Sequence, residues 1–184
     1  MEQLNPQSRR DPYGSRINRA QFAPLVYGLP WLTILVGSLS PWLPVIAPAP
    51  VLPPLGFLLM LAWRLLRPGL LPAWAGLPLG LFDDLYSGQP MGSGVLLFSL
   101  ALIIVELVEI RFPWRNFWLD WLTASCILVP YLVIASLLSG TELTPVQLGV
   151  IAPQVVLSIV LFPIIARVVA MADRFRLMRV RRID

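Results

Sequence analysis

Apolar residues fall into six runs along the chain, separated by short segments rich in proline, glycine, arginine or small polar residues. A helix needs about 20 apolar residues to cross a bilayer, and five of the six runs are close to this length. The alternation that marks a membrane β-barrel is absent from the sequence. The pattern therefore predicts an all-α membrane protein with six transmembrane helices, at about residues 22–40, 51–63, 70–87, 92–110, 119–139 and 146–168.

The positions of the basic residues predict the orientation of these helices. All 14 basic residues are arginines, and they lie in the two tails and after the second and fourth runs. The connections near 41–50, 86–92 and 140–145 contain none. Since basic loops stay on the cytoplasmic side, both termini are expected to be cytoplasmic. We expect three regions: a basic disordered tail at 1–21, a transmembrane domain at 22–168 and an Arg-rich tail at 169–184.

Prolines occur inside the apolar runs, which membrane helices tolerate when neighbouring groups bind the carbonyls that proline leaves free. Those expected within helices are Pro30, Pro78, Pro130, Pro153 and Pro163. Thr144, Pro145 and Gln147 form a capping box with proline at the first helical position, so the sixth helix is predicted to begin there.

Composition limits the chemistry that the chain can perform. Hydrophobic residues make up 57% of the sequence and charged residues 13%, with no His, no Lys and one cysteine, Cys126. The usual His-activated nucleophiles, imidazole metal sites and lysine Schiff bases are therefore excluded. We predict no catalytic residue, no cofactor and no metal site. The net charge of +4 is explained by membrane topology, so no nucleic-acid partner is expected.

The most specific local pattern places five residues four apart, on one helical face that runs from the third span into the next turn. They are Gly76, Gly80, Asp84, Gly88 and Gly92. Gly76 and Gly80 form a Gly-x-x-x-Gly pair, which allows close approach of another helix, either within the monomer or from a partner. Gly88 and Gly92 are expected to supply positive φ angles in the turn.

Asp83 and Asp84 lie near the external, C-terminal end of the third span, where the helix dipole opposes a carboxylate, so neither is expected to be a helix cap. A carboxylate in a membrane segment implies water, a partner group or protonation. Three interpretations remain open: a side chain that reaches the headgroups, a hydrogen-bond anchor to a neighbouring span or partner protein, and a proton or cation site. Because Asp84 lies on the glycine face, we expect it to matter more than Asp83.

The remaining charges lie near the predicted cytoplasmic surface. Glu106 and Glu109 stand beside Arg111 and Arg115, which favours ion pairing at the interface. Aromatic residues at the start of the fifth span are typical of an interfacial belt; they are Trp114, Phe117, Trp118 and Trp121. The C-terminal tail is predicted to form an amphipathic helix that binds the inner leaflet or docks a cytoplasmic protein. Its basic residues are Arg174, Arg176, Arg179, Arg181 and Arg182.

The segment from Gly76 to Gly92, with Gly80, Asp84 and Gly88 between them, resembles the signature stretch of the MreD family of bacterial rod shape-determining membrane proteins. Asp83 is an additional acid beside that pattern. The resemblance implies a multi-pass, non-enzymatic protein of the inner membrane that helps to form the rod shape by scaffolding and regulating peptidoglycan synthesis. It also implies MreC as a partner, together with MreB, RodA and a class B penicillin-binding protein, in addition to membrane lipid.

The resemblance further implies a fold similar to the six-helix substrate-binding components of vitamin transporters. A small-molecule binding component of a transporter is therefore the main alternative function. The sequence disfavours it, because the first span lacks an Ala-x-x-x-Ala docking motif and the external loops contain few polar groups. A lipid-modifying enzyme is less consistent still, since its chemistry would depend on Asp83 and Asp84 without a nearby His or Lys.

Overall fold

The computed structural model describes residues 23–42, 52–112, 116–142 and 144–176, and these parts of the chain contain α-helices and no strand. The predicted N-terminal tail, most of the proline-rich first connection, and Arg115, Arg179, Arg181 and Arg182 lie outside the described residues. The described residues form six α-helices: α1 Ala23–Ser38, α2 Leu55–Leu66, α3 Gly76–Ser87, α4 Ser93–Arg111, α5 Phe117–Leu138 and α6 Pro145–Arg176. The expected six helices are thus confirmed.

The helices differ in their capacity to cross a bilayer. Three are long and apolar enough to span it, namely α4, α5 and α6. By contrast α2 is apolar but has 12 residues, or about 18 Å of helix against a hydrocarbon core of about 30 Å. It begins at Leu55, immediately after Pro53 and Pro54, and continues to Leu66. The six crossings and their orientation remain predictions.

Helix α2 forms the centre of the bundle and packs against α1, α4, α5 and α6. Nine of its 12 residues are buried, so it is apolar on nearly every side rather than along one stripe. Phe57 stacks on Tyr131 of α5 with ring centroids 3.7 Å apart and meets Phe98 of α4 edge-on at 5.4 Å. The indole of Trp63 donates a hydrogen bond to Thr33 of α1 at 2.8 Å. These contacts make α2 the hydrophobic core around which the longer helices pack.

Prolines lie inside α1, α5 and α6, as the sequence predicts. Pro163 in α6 cannot donate to the carbonyl of Ile159 one turn earlier. That carbonyl instead accepts a hydrogen bond from the indole N–H of Trp121, at 3.0 Å. Trp121 therefore joins α5 to α6, whereas the sequence analysis assigned it to an interfacial belt. Helix α6 begins at Pro145, and the Thr144 hydroxyl accepts from the Gln147 N–H at 3.2 Å, which confirms the predicted start.

Ion pairs join α2, α4 and α6 at one end of the bundle, which we call the Arg-rich end. Arg64 contacts Glu109 of α4 at 2.9 Å, and Arg67 contacts Asp173 of α6 at 2.6 Å. Arg176 also contacts Asp173, at 2.9 Å, and its guanidinium lies 5.5 Å from the centre of the Trp63 ring. These contacts fasten the C-terminal ends of three helices to one another.

Glu109 pairs with Arg64 of another helix, a contact that the sequence analysis did not predict, and Arg115, one of its expected partners, lies outside the described residues. One expectation about these charges needs correction. Arg176 was expected to face lipid or a cytoplasmic protein, but it is only 6% exposed. The reason is that α6 continues helically past the predicted boundary at 168, which turns Asp173 and Arg176 towards α2. Arg174 is exposed on the opposite side.

Replacing Asp173 with Asn removes the shared anion of Arg67 and Arg176 and is expected to lower the thermal unfolding midpoint of the purified protein. The loss should be smaller than the roughly 3–5 kcal/mol seen when fully buried pairs are broken, because the Arg67 side chain is 47% exposed. Arg174→Gln, which changes an exposed charge on the same turn, is the control. Equal midpoints for the two variants would show that the Asp173 contacts do not stabilise the fold.

Candidate functional site at the α3–α4 turn

Helices α3 and α4 form a hairpin in which the two backbones touch. A Cβ atom added at Gly76 would lie 2.6 Å from the backbone N and Cα of Ser99. One added at Gly80 would lie 2.5 Å from the carbonyl carbon of Gly94, and Gly94 in turn faces the Gly80 carbonyl oxygen. Only hydrogen atoms fit at these positions. The glycine face, for which a helix of the monomer and a partner helix were both open alternatives, is therefore filled by α4 of the same chain.

The turn between the two helices uses left-handed backbone at both of its glycines. Gly88, after the end of α3, has φ 70°, and Gly92, before the start of α4, has φ 96°. The predicted need for positive φ at these positions is confirmed, because side chains other than glycine rarely adopt such angles. Ser93 closes the turn, since its backbone N–H and its hydroxyl both donate to the Pro90 carbonyl, at 3.0 and 2.7 Å.

Asp84 binds the first turn of α4 with both carboxylate oxygens. The oxygens accept from the N–H of Gly92 at 2.8 Å, Gly94 at 2.6 Å and Val95 at 3.4 Å. The Ser93 hydroxyl, whose one proton lies closer to the Pro90 carbonyl, is 3.2 Å from Asp84 Oδ1. The N–H groups at the start of a helix have no partner within the helix, and the helix dipole favours an anion there. Asp84 thus caps the helix that follows its own, and it is only 4% exposed.

This geometry corrects the expectation that Asp84 is not a helix cap. The argument that Asp84 does not cap a helix considered only α3, where the carboxylate lies at the unfavourable end. The hairpin turn brings the favourable end of α4 to the same carboxylate. The structure thereby realises one of the open interpretations, a hydrogen-bond anchor to a neighbouring span. The sequence analysis did not predict a role for Gly94, whose backbone contacts Asp84 Oδ1 and the Gly80 carbonyl. Its position two residues after Gly92 was the available signal.

Asp83 points away from the hairpin, towards α1 and α2. A Cβ atom added at Gly56 of α2 would lie 3.1 Å from Asp83 Oδ1 and would also meet the Ser38 side chain of α1. Asp83 borders a cavity of about 420 Å³ at the end of the bundle where α3 turns into α4. We call this the polar cavity. It is lined by Ser40, Pro41, Leu52, Pro53, Pro54, Leu55, Gly56, Asp83, Ser87, Gln89, Tyr131, Leu132, Ala135, Ser136, Ser139, Thr141, Gln147, Ile151 and Gln154.

The polar cavity was not predicted, because its polar residues are scattered over α3, α5, α6 and the connections between helices. The sequence analysis judged the external loops poor in polar groups, yet the fold gathers hydroxyl and amide side chains around one space. The two acids of the motif therefore face different surroundings: Asp84 binds backbone N–H groups, and Asp83 faces the cavity. In the parts of the chain that the structure describes, no group of three His, Cys, Asp or Glu side chains is arranged to hold a metal ion.

Replacing Gly80 with Ala should push α3 and α4 apart, since the methyl group would overlap the backbone of Gly94. Overpacking of this kind typically costs about 1–3 kcal/mol. Gly149→Ala in α6 is the matched control, because a Cβ there meets nothing within 4 Å. We expect a lower unfolding temperature for Gly80→Ala alone. A Gly80→Ala protein as stable as the Gly149→Ala protein would contradict the close contact.

Asp84→Asn should destabilise the hairpin more than Asp83→Asn does. The amide retains one acceptor oxygen where the carboxylate has two, so buried N–H groups of α4 lose a partner at a cost of about 1–3 kcal/mol. Hydrogen exchange at Gly92, Gly94 and Val95 measures the effect directly. Faster exchange is expected in Asp84→Asn, with little change in Asp83→Asn. The reverse order would overturn the assignment of the cap to Asp84.

Comparison with known proteins identifies the family. A family model described as rod shape-determining protein MreD matches residues 24–171, which include the α3–α4 hairpin and most of α6. No curated protein and no solved structure matches the chain, so the expected likeness to vitamin-transporter components stays a prediction. The family match covers most of the sequence, and the chain belongs to the MreD family of rod shape-determining proteins.

Proposed function

We propose that this protein is a non-enzymatic, multi-pass component of the inner membrane that scaffolds and regulates peptidoglycan synthesis in the cell-elongation machinery. The observation that carries the proposal is the match to the MreD family over residues 24–171, since that family determines the rod shape of cells. The structure supports a scaffolding role, because its buried acids hold helices together: Asp84 caps α4, and Glu109 and Asp173 form ion pairs.

The arrangement of charges supports a membrane orientation with both termini in the cytoplasm. Ion pairs bring the C-terminal ends of α2, α4 and α6 to the Arg-rich end, so these three helices end on one side. The opposite end contains the α3–α4 turn and the polar cavity, and no arginine lies among the described residues that line that cavity. The positive-inside rule assigns the Arg-rich end to the cytoplasm.

The partner surface that we propose lies on the outward face of the hairpin, since its glycine face is filled. Leu77, Leu81 and Leu85 are spaced four apart on α3 and are each at least half exposed. Such a ridge is suited to packing against a single membrane helix, for which MreC is the proposed source. We also propose contacts with MreB, RodA and a class B penicillin-binding protein. The exposed Arg174 is the proposed docking residue on the cytoplasmic side.

One observation favours the alternative function, a small-molecule binding component of a transporter. The polar cavity is of the size that small ligands occupy and is lined by hydroxyl, amide and carboxylate groups. This feature weakens the sequence argument against ligand binding. Cell shape and nutrient uptake distinguish the two functions.

Depletion of the protein from its native host, in rich medium where vitamin uptake is not limiting, should widen or round the cells before growth stops. Cell width measured by microscopy checks this outcome, and re-expression of the wild-type chain should restore the rod shape. Normal width, together with a growth defect only when a specific nutrient is scarce, would reject the elongation role and support the transporter.

A further inference from the structure

Hydrogen-bond acceptors dominate one wall of the polar cavity. The hydroxyls of Ser136, Ser139 and Thr141 donate their protons to backbone carbonyls of α5, at 2.7, 2.9 and 2.5 Å. A hydroxyl has one proton and two lone pairs, so each of these oxygens can offer only lone pairs to the cavity. The wall can therefore accept hydrogen bonds from a ligand but has few protons to give.

Asp83 adds a carboxylate to the same space. It is 8% exposed, and within the described ranges no basic side chain lines the cavity or forms an ion pair with it. A buried carboxylate is costly unless a cation, a proton or hydrogen-bond donors accompany it. Asp84, one residue later, has its N–H donors from α4, whereas Asp83 faces the cavity. The Ser38 hydroxyl lies beside Asp83 and can donate to it, but no basic side chain among the described residues balances its charge. The site therefore has a place for a cation from outside the chain.

We propose that the polar cavity binds an organic cation with N–H donors, a primary ammonium or a guanidinium group, through Asp83 and the hydroxyl oxygens of Ser136, Ser139 and Thr141. Its volume of about 420 Å³ lies within the range of small-molecule sites. Anions such as phosphate or carboxylate are disfavoured, because they would meet Asp83 and acceptor lone pairs. The inference is independent of the role in cell elongation and holds whether or not the protein transports its ligand.

Two sources supply this chemistry in a membrane: the ethanolamine headgroup of a phospholipid and a soluble amine. Phosphatidylcholine tests whether N–H donors are needed, since its quaternary ammonium carries a positive charge but has no N–H. The full chain is released from vesicles of phosphatidylethanolamine, phosphatidylcholine and phosphatidylglycerol and measured by native mass spectrometry. If the cavity binds a lipid headgroup, the ethanolamine lipid should be retained preferentially. In phosphatidylcholine nanodiscs, calorimetry with putrescine and agmatine detects a site for soluble amines.

Asp83→Asn should weaken binding at least about tenfold, because the charge-assisted hydrogen bond is lost while the side-chain shape stays. Glu106→Gln, which removes an exposed acid outside the cavity, should bind as the wild type does. Ser136→Val removes one acceptor without changing charge and should also weaken binding. It provides a second variant if Asp83→Asn does not fold, as judged by thermal unfolding.

The proposal is overturned if neither the ethanolamine lipid nor the soluble amines bind. Equal retention of the ethanolamine and choline lipids, with no amine binding in nanodiscs, would also overturn it, because N–H donors would then be irrelevant. The same conclusion follows if folded Asp83→Asn and Ser136→Val proteins bind as well as the wild type. Occupation of the cavity only by a segment of a partner protein would replace the small ligand with a protein contact.

Discussion

The hydrogen bonds from the start of α4 to Asp84 are the interaction on which the α3–α4 hairpin, and with it this end of the bundle, depends. A carboxylate that sits at the unfavourable end of its own helix becomes favourable once the next helix begins beside it. The two positive-φ glycines, Gly88 and Gly92, make that reversal of direction possible in a short turn. Gly76, Gly80 and Gly94 then allow the backbones to stay in contact along the hairpin.

The position of Asp84 also determines the direction in which Asp83 points. Successive residues of a helix point about 100° apart, so fixing Asp84 against α4 directs Asp83 towards α1 and α2. On that side lies Gly56, which is small enough to leave room for the carboxylate. The hydroxyls of Ser136, Ser139 and Thr141 line the same cavity. One acid thus holds the hairpin together, and the other is left available to a ligand. The extra acid beside the family pattern is the one that faces open space.

The two ends of the bundle differ in how their charged side chains are paired. At the Arg-rich end, three arginines form ion pairs with two acids and so join α2, α4 and α6, and the Trp63 ring adds a cation–π contact. At the turn end, the described lining of the cavity contains an acid and no base. The short central helix α2 reaches both ends of the bundle. Gly56, near its start, lines the polar cavity, and Arg64, near its end, pairs with Glu109 at the Arg-rich end.

Patterns along the chain were enough to predict six helices, the start of α6 at Pro145, the positive φ at Gly88 and Gly92, and membership of the MreD family. The helices, the cap and the turn depend on residues close together in the chain, where apolar runs, caps and turn chemistry leave a small choice of backbone conformations. The contacts between helices could be read only from the folded chain. Arg64 with Glu109, Arg67 with Asp173, and Trp121 with the Ile159 carbonyl join residues between 38 and 106 positions apart. No local pattern specifies such pairs, because they depend on how helices pack around α2, and the polar cavity exists only once that packing is complete.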